Sequence, residues 1–383
     1  MPPRRRRGSK SQSVSSATAD ANGMPPPAVP ASKSPSPVAT RHKRTKSATS
    51  PPNSPRQLAN ALTTRPKTSA EQPSILNFIA ATAISLALST GLRYAASTYT
   101  TFGRAELAAI SSPAHSQDPY YVGGLLVWRI VVLAVYWFRG YDAYDVASLS
   151  ILTAMPVALL EVFFYKITPS VLAIDTLSGL ISSAAPFALL RAVAPAHHPS
   201  DKSTKHAVRN RPILTDPYTT AFTSLLAATI LAVLLELGFE TFLPTFLISN
   251  FEHIRTLEPA HHGSAQLPIL LITLLPAGVA CRSFLFAPST SAPTGEMVEL
   301  DTRTAGLLAH VQWNVWGWYS SRQKELIGRA TVLAALMAAE TMVQCTGALD
   351  GVDLPGAAGY AGVWVFGVAV VTAVLDWVGK PSE

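Results

Sequence analysis

The chain reads as an all-α protein: a polytopic helical membrane bundle of about eight transmembrane helices, preceded by a disordered N-terminal tail. Three observations predict this. Between Pro73 and Gly379 about eight apolar stretches reach the roughly 20 residues a helix needs to cross a hydrocarbon layer. Residues 1–72, by contrast, are basic, rich in Ser and Pro, and almost free of large apolar side chains. Charged residues make up only 14% of the sequence and hydrophobic ones 48%, whereas an ordinary soluble domain is about 25% charged.

The tail carries the charge. Of 30 Lys and Arg in the chain, 13 lie in residues 1–72 beside 2 acidic residues, which leaves 17 basic against 21 acidic for the rest. The net charge of +7 is therefore a property of the tail, and it gives no reason to expect a nucleic-acid partner. A composition of Ser, Thr, Pro, Ala, Lys and Arg cannot bury enough apolar area to offset the entropy of ordering, so a disordered cytosolic arm is expected. Its basic clusters are Arg4–Arg7 and the group Arg41, His42, Lys43, Arg44 and Lys46. Ser34, Ser36, Ser50 and Ser54 each precede proline and are candidate phosphosites. Phosphates there would weaken attraction to anionic lipid or change recognition by a protein partner. Alternatively, the clusters act as nuclear-import signals, or simply hold the N-terminus inside. No apolar core lies in the first 30 residues, so no secretory signal peptide is expected, and Pro2, Pro3 and Pro25–Pro27 disfavour an amphipathic presequence helix.

The membrane domain is expected over 73–379, with spans near 73–92, 120–138, 145–166, 170–192, 218–239, 267–287, 326–347 and 357–378. Pro156, Pro186 and Pro276 interrupt three of them, which neighbouring helices can accommodate. The stretch Thr241–Phe251 either extends span five or lies along the interface. Positive charge then orients the bundle. One side holds the tail, Arg139, the group Lys202, Lys205, Arg209 and Arg211, the group Arg303, Arg322, Lys324 and Arg329, and Lys380. The other holds Arg93, Arg104, Lys166 and Arg255 singly, and none beside Asp350 and Asp353. Both termini are thus expected in the cytosol, in an internal membrane such as the endoplasmic reticulum or nuclear envelope.

Charges inside spans are costly and are the first functional candidates. Arg191, Arg282 and Asp376 lie near cytosolic ends and Lys166 at an outer end, where they read as anchors. Arg129 lies about 12 Å and Glu340 about 10 Å below the outer boundary at 1.5 Å per residue, so an ion pair between them is permitted. Glu161, Asp175, Glu236 and Glu240 sit toward the same side, the last two on one helix face. With Arg129 they read as an acidic vestibule for a cation, a proton or a cationic solute, or else as internal glue and headgroup contacts. From 302 to 323 an amphipathic segment carries Trp313, Trp316, Trp318 and Tyr319, with Leu308, Val311, Val315 and Trp318 on one stripe, as expected of a helix lying in the interface. His310 and Asn314 within it are a weak acyl-transfer signal.

The remaining chemistry is sparse. Cys281 and Cys345 fall inside apolar stretches, so neither a disulfide framework nor a cysteine zinc site is expected. His197 and His198 fall on the side opposite to His261 and His262, and no metal site or cofactor is expected. There is no phosphate-binding glycine loop, His-Glu-x-x-His motif or Gly-x-Ser-x-Gly elbow, which points away from an enzyme. Beyond the lipid bilayer and a partner for the tail, the sequence names no ligand. A non-enzymatic scaffold or organising protein fits best, ahead of a transporter or channel, with a lipid-processing enzyme third.

Overall fold

The computed structural model describes residues 74–99, 101–110, 118–199, 208, 210–292 and 306–380. The tail over 1–72, with Ser34, Ser36, Ser50 and Ser54, lies outside the described residues, as do Lys202, Lys205, Arg209 and Arg303. Eight helices are long and apolar enough to cross a membrane: α1 (Ile75–Tyr99), α2 (Pro119–Arg139), α3 (Ala143–Phe163), α4 (Pro169–Leu190), α5 (Pro217–Glu240), α6 (Leu267–Ser291), α7 (Ser321–Ala348) and α8 (Leu354–Val378). Among the described residues the sole β pairing is an isolated antiparallel bridge between Phe251 and Val352.

The boundaries follow local chemistry. Asp118, Asp142, Asp216 and Asp353 each cap a helix N-terminus by accepting a backbone N–H from the first turn. Pro119, Pro169 and Pro217 stand at first helical positions, where a missing N–H is harmless. Gly140 ends α2 in the left-handed region at φ 75°, a conformation that favours glycine. A Ser320–Gln323 capping box starts α7, five residues before the expected boundary. The stretch after α5 forms its own short helix, Leu243–Asn250, packed against α5 and α8.

Hydrogen bonds sort the connections into two ends. At the far end, Arg255 and Thr256 donate to the Phe164 carbonyl, Asp350 to Ile110 and Glu252 to Gly351. At the tail end, where α1 begins with Phe78 packed on Trp137 and Phe138, the turn after α2 meets the segment after α4 and the end of α6, and the end of α6 shares a groove with the C-terminus of α8.

α3 is the hub. It packs against α4, α6 and α7, and 61% of its apolar window is buried, against 11% for the peripheral α1. Leu76, Ile79, Val127, Ile272 and Phe366 are exposed, forming the apolar surface a bilayer would solvate. Inside, small polar residues such as Ser178, Ser182, Ser183, Thr223 and Ser224 let helices approach, their hydroxyls bonded to carbonyls of their own helices. α5 and α6 approach closely, and a Cβ on Gly278 would overlap the Ser224 carbonyl oxygen.

Candidate functional site: a buried charge knot at the tail end

The densest polar constellation was not among the sequence candidates. It forms where the turn after α2 brings Asp142 and Asp145 beside the segment following α4. Asp142 accepts the Asp145 N–H at 2.9 Å through Oδ1. Its Oδ2 takes the Ala194 N–H and the Nδ1 of His197, both at 2.7 Å. The other ring nitrogen, Nε2, lies 3.2 Å from the Ser283 carbonyl and 3.7 Å from Asp145 Oδ1. Both ring nitrogens thus face acceptors, an arrangement that suits the doubly protonated imidazolium.

Arg329 completes the knot from α7. Its Nη1 and Nη2 donate to the two Asp145 oxygens at 2.6 and 3.2 Å, and its Nε donates to Glu325 Oε1 at 2.9 Å. Nη1 also reaches the Phe284 carbonyl at 3.2 Å. The guanidinium stacks on Tyr141 and Phe284, 5.3 and 5.0 Å from their ring centres. The Arg329 and Asp145 side chains are 4% and 1% exposed, so the pair is a dry one.

The backbone of α6 explains why carbonyls are available there. The helix widens into a π-turn over Arg282–Phe286, and the Ala287 N–H goes to Arg282 instead of Ser283. Pro288 has no N–H to offer Phe284, four residues earlier. The carbonyls of Ser283 and Phe284 turn to His197 and Arg329 instead. Burial opposes the charged form of His197, but the Asp142 hydrogen bond, the Asp145 and Asp142 charges and the Ser283 carbonyl outweigh it and raise its pKa. Burial likewise works against the Asp142 carboxylate, yet His197 and the Asp145 and Ala194 N–H groups hold its pKa below the usual value.

Asp142, Asp145 and His197 each present a ligand atom within 4.8 Å of the others, a set that could in principle hold a metal. However, Asp145 is engaged on both oxygens by a guanidinium that would repel a dication. The donor set fits a salt-bridge network better than a metal centre.

The expected Arg129–Glu340 pair takes a different form. Arg129 Nη2 donates to Ser183 Oγ at 2.7 Å and Ser182 Oγ at 3.3 Å on α4. Glu340 accepts from Trp128 Nε1 at 2.6 Å and from Gln344 Nε2 at 2.7 Å. Consecutive helix residues point about 100° apart, so Trp128 meets α7 while Arg129 meets α4. The two charges remain within Coulombic range without touching.

The outer carboxylates fall into two pairs. Glu161 is buried with Asp175 as its charged neighbour, and Asp175 itself pairs with Arg93 of α1 at 3.3 Å. Glu236 is buried with Oε2 unpartnered, and its charged neighbour is the exposed Glu240. The assigned anchors also turn inward. Arg191 donates to the Tyr141 and Trp137 carbonyls and lies over the Trp137 ring, and Arg282 binds the Leu214 carbonyl and Thr220. Arg329 is no loop charge, because α7 starts at Ser321 and carries it more than two turns into the helix.

In the aromatic segment, Leu307–Gln312 is helical and continues as a π-turn over Trp313–Gly317. Trp318 and Tyr319 are exposed along with Leu307, Leu308, Val311 and Val315, while Trp313 and Trp316 are half-buried. His310 is half-buried and Asn314 exposed.

Eight apolar helices, a lipid-compatible exterior and an interior held by small polar residues define a polytopic α-helical membrane protein. Over residues 216–378 the chain is similar to the family described as the bouquet formation protein 3 C-terminal domain. No curated protein and no solved structure matches. The matched range begins at the N-cap of α5 and ends on the last residue of α8. The knot joins the two halves. Asp142, Asp145 and His197 precede the match, while Ser283, Phe284, Glu325 and Arg329 lie within it.

Proposed function

We propose that the protein is a non-enzymatic membrane scaffold acting in bouquet formation, the gathering of chromosome ends at the nuclear envelope. The observation that carries this reading is the family match, whose limits coincide with the helical unit α5–α8. The described polar groups are consistent with it, because the buried cluster of charges ties helices together. In this reading both termini face the nucleoplasm or cytosol, following the basic residues. The helix at Leu307–Gln312 and its aromatic extension rest in the interface on that side. The basic tail would meet an anionic lipid or a protein partner, under control of phosphates at Ser34, Ser36, Ser50 and Ser54.

The test is imaging of a C-terminal fluorescent fusion, followed by counting of chromosome-end clusters. A nuclear rim and dispersed chromosome ends in the deletion strain are the expected results. A plasma-membrane or vacuolar signal would sink the proposal.

Two buried carboxyls, Glu161 and Glu236, the latter with Oε2 unpartnered, favour transport of a proton or cation as a second reading. Under that reading Glu161→Gln abolishes a solute-dependent growth phenotype that deletion of residues 1–60 leaves intact.

A further inference from the structure

A groove of about 480 Å³ opens at the tail end between the start of α5, the end of α6 and the end of α8. Ile213, Tyr218, Phe222, Phe286 and Val378 form an apolar wall. Tyr218 and Phe222 are exposed on the outside of the bundle, and the apolar strip continues along α5 through Leu225. The polar part of the lining is different in kind. It includes Lys380, whose side chain is 59% exposed, and Thr290, only 2% exposed, whose hydroxyl has no hydrogen-bond partner.

Charge decides what such a groove would accept. Among the described residues, Asp216 and Asp376, close in sequence to the lining, are already engaged. Asp216 takes the Thr219 N–H and hydroxyl, and Asp376 takes Arg322 and Gln323. Lys380 stands 3.9 Å from Asp376, a loose contact that leaves the ammonium available to an anion. Behind the wall lies Arg282, bonded to Leu214 and Thr220 and with its Nε unpartnered. A cation at the mouth, a second cation behind, a dry hydroxyl and an apolar run toward the membrane interior match one kind of molecule.

We propose that this groove binds one anionic glycerophospholipid, with its phosphate at Lys380, an ester or phosphate oxygen accepting from Thr290, and an acyl chain along Phe222 and the outer face of α5. An unpartnered buried hydroxyl is unfavourable, and the lipid oxygen removes that defect. The ammonium selects for net negative charge, since a Lys near a membrane surface is worth about fivefold in affinity for an anionic lipid. The site is built from residues outside the tail sequence, and it operates whether or not the protein serves bouquet formation.

Photoactivatable phosphatidylserine, diluted in phosphatidylcholine and added to purified full-length protein, would test this through the peptides it labels. Labelling is expected on segments 210–223, 286–290 and 378–380. Unlabelled phosphatidylserine should compete about fivefold better than phosphatidylcholine, and Lys380→Gln should erase that preference. Thr290→Val keeps the shape and removes the orphan hydroxyl, so it should raise the melting temperature of lipid-depleted protein while reducing labelling. Equal competition by the two lipids, or labelling elsewhere because residues 293–305 of the chain itself fill the groove, would overturn the assignment. So would unchanged labelling in both variants.

Discussion

The two ends of the bundle treat charge in opposite ways. At the tail end Asp142, Asp145, His197 and Arg329 are drawn together, hydrogen-bonded and almost completely dry, with the half-buried Glu325 at their edge. At the far end Arg93–Asp175 and Lys166–Glu258 are surface pairs with side chains more than half exposed, while of the two buried carboxyls Glu236 has an Oε2 without a hydrogen-bond partner and Glu161 has the Asp175 carboxylate as its charged neighbour. The number of charges differs little; their desolvation differs greatly. Breaking a dry pair strands a charge where water cannot reach it, whereas breaking a wet pair lets water take over.

The contrast is sharpest at Asp145. Asp145→Ala should destabilise the purified protein by about 3–5 kcal/mol, read as a large fall in melting temperature and in abundance, because Arg329 loses its buried counter-ion and keeps only the half-buried Glu325. The double variant Asp145→Leu with Arg329→Leu should recover most of the loss. A double variant as unstable as the single one would show that packing, not charge, holds the knot.

Acidity probes the same place. The folded pKa of His197 is raised, so its stabilisation is complete below the unfolded value of about 6.5 and is lost as pH rises through the folded value. Asp142 runs the other way: its depressed pKa stabilises above about 3.9 and is lost on acidification. Melting temperature should therefore fall on the alkaline side of about pH 6.5, and His197→Gln should flatten that limb. An unchanged alkaline limb in the variant would mean that His197 is neutral in the fold.

The far end should respond weakly or with opposite sign. Glu236→Leu removes a buried carboxyl whose Oε2 has no hydrogen-bond partner, so stability should rise by about 1 kcal/mol. A loss of that size instead would reveal a partner or a bound ion for the carboxyl. Asp175→Ala, at an exposed pair, should change stability by less than about 1 kcal/mol in a chemical or thermal melt.

Much of the fold was legible because span formation is local. A run of about 20 apolar residues commits a segment to helix wherever it lies, and the observed helices fall where those runs were read. The Asp-Pro steps at Asp118 and Asp216 and the Ser320–Gln323 box would have sharpened the ends further. The last would also have set Arg329 more than two turns into the helix instead of at the edge of the span. The site was far less legible. Arg129 and Glu340 were matched in depth, yet depth says nothing of rotation, and a 100° step put Trp128 rather than Arg129 against α7. His197 looked like a loop histidine because its partners are 52 to 86 positions away.

By itself, then, the sequence determined a membrane body of eight apolar helices and the concentration of net positive charge in the first 72 residues. Both are set by solvation of side chains one at a time. Only the tertiary structure decided which charges are paired and which are stranded. Those properties depend on which helix face meets which, and the free energy of a buried charge is fixed by the few atoms within about 4 Å of it.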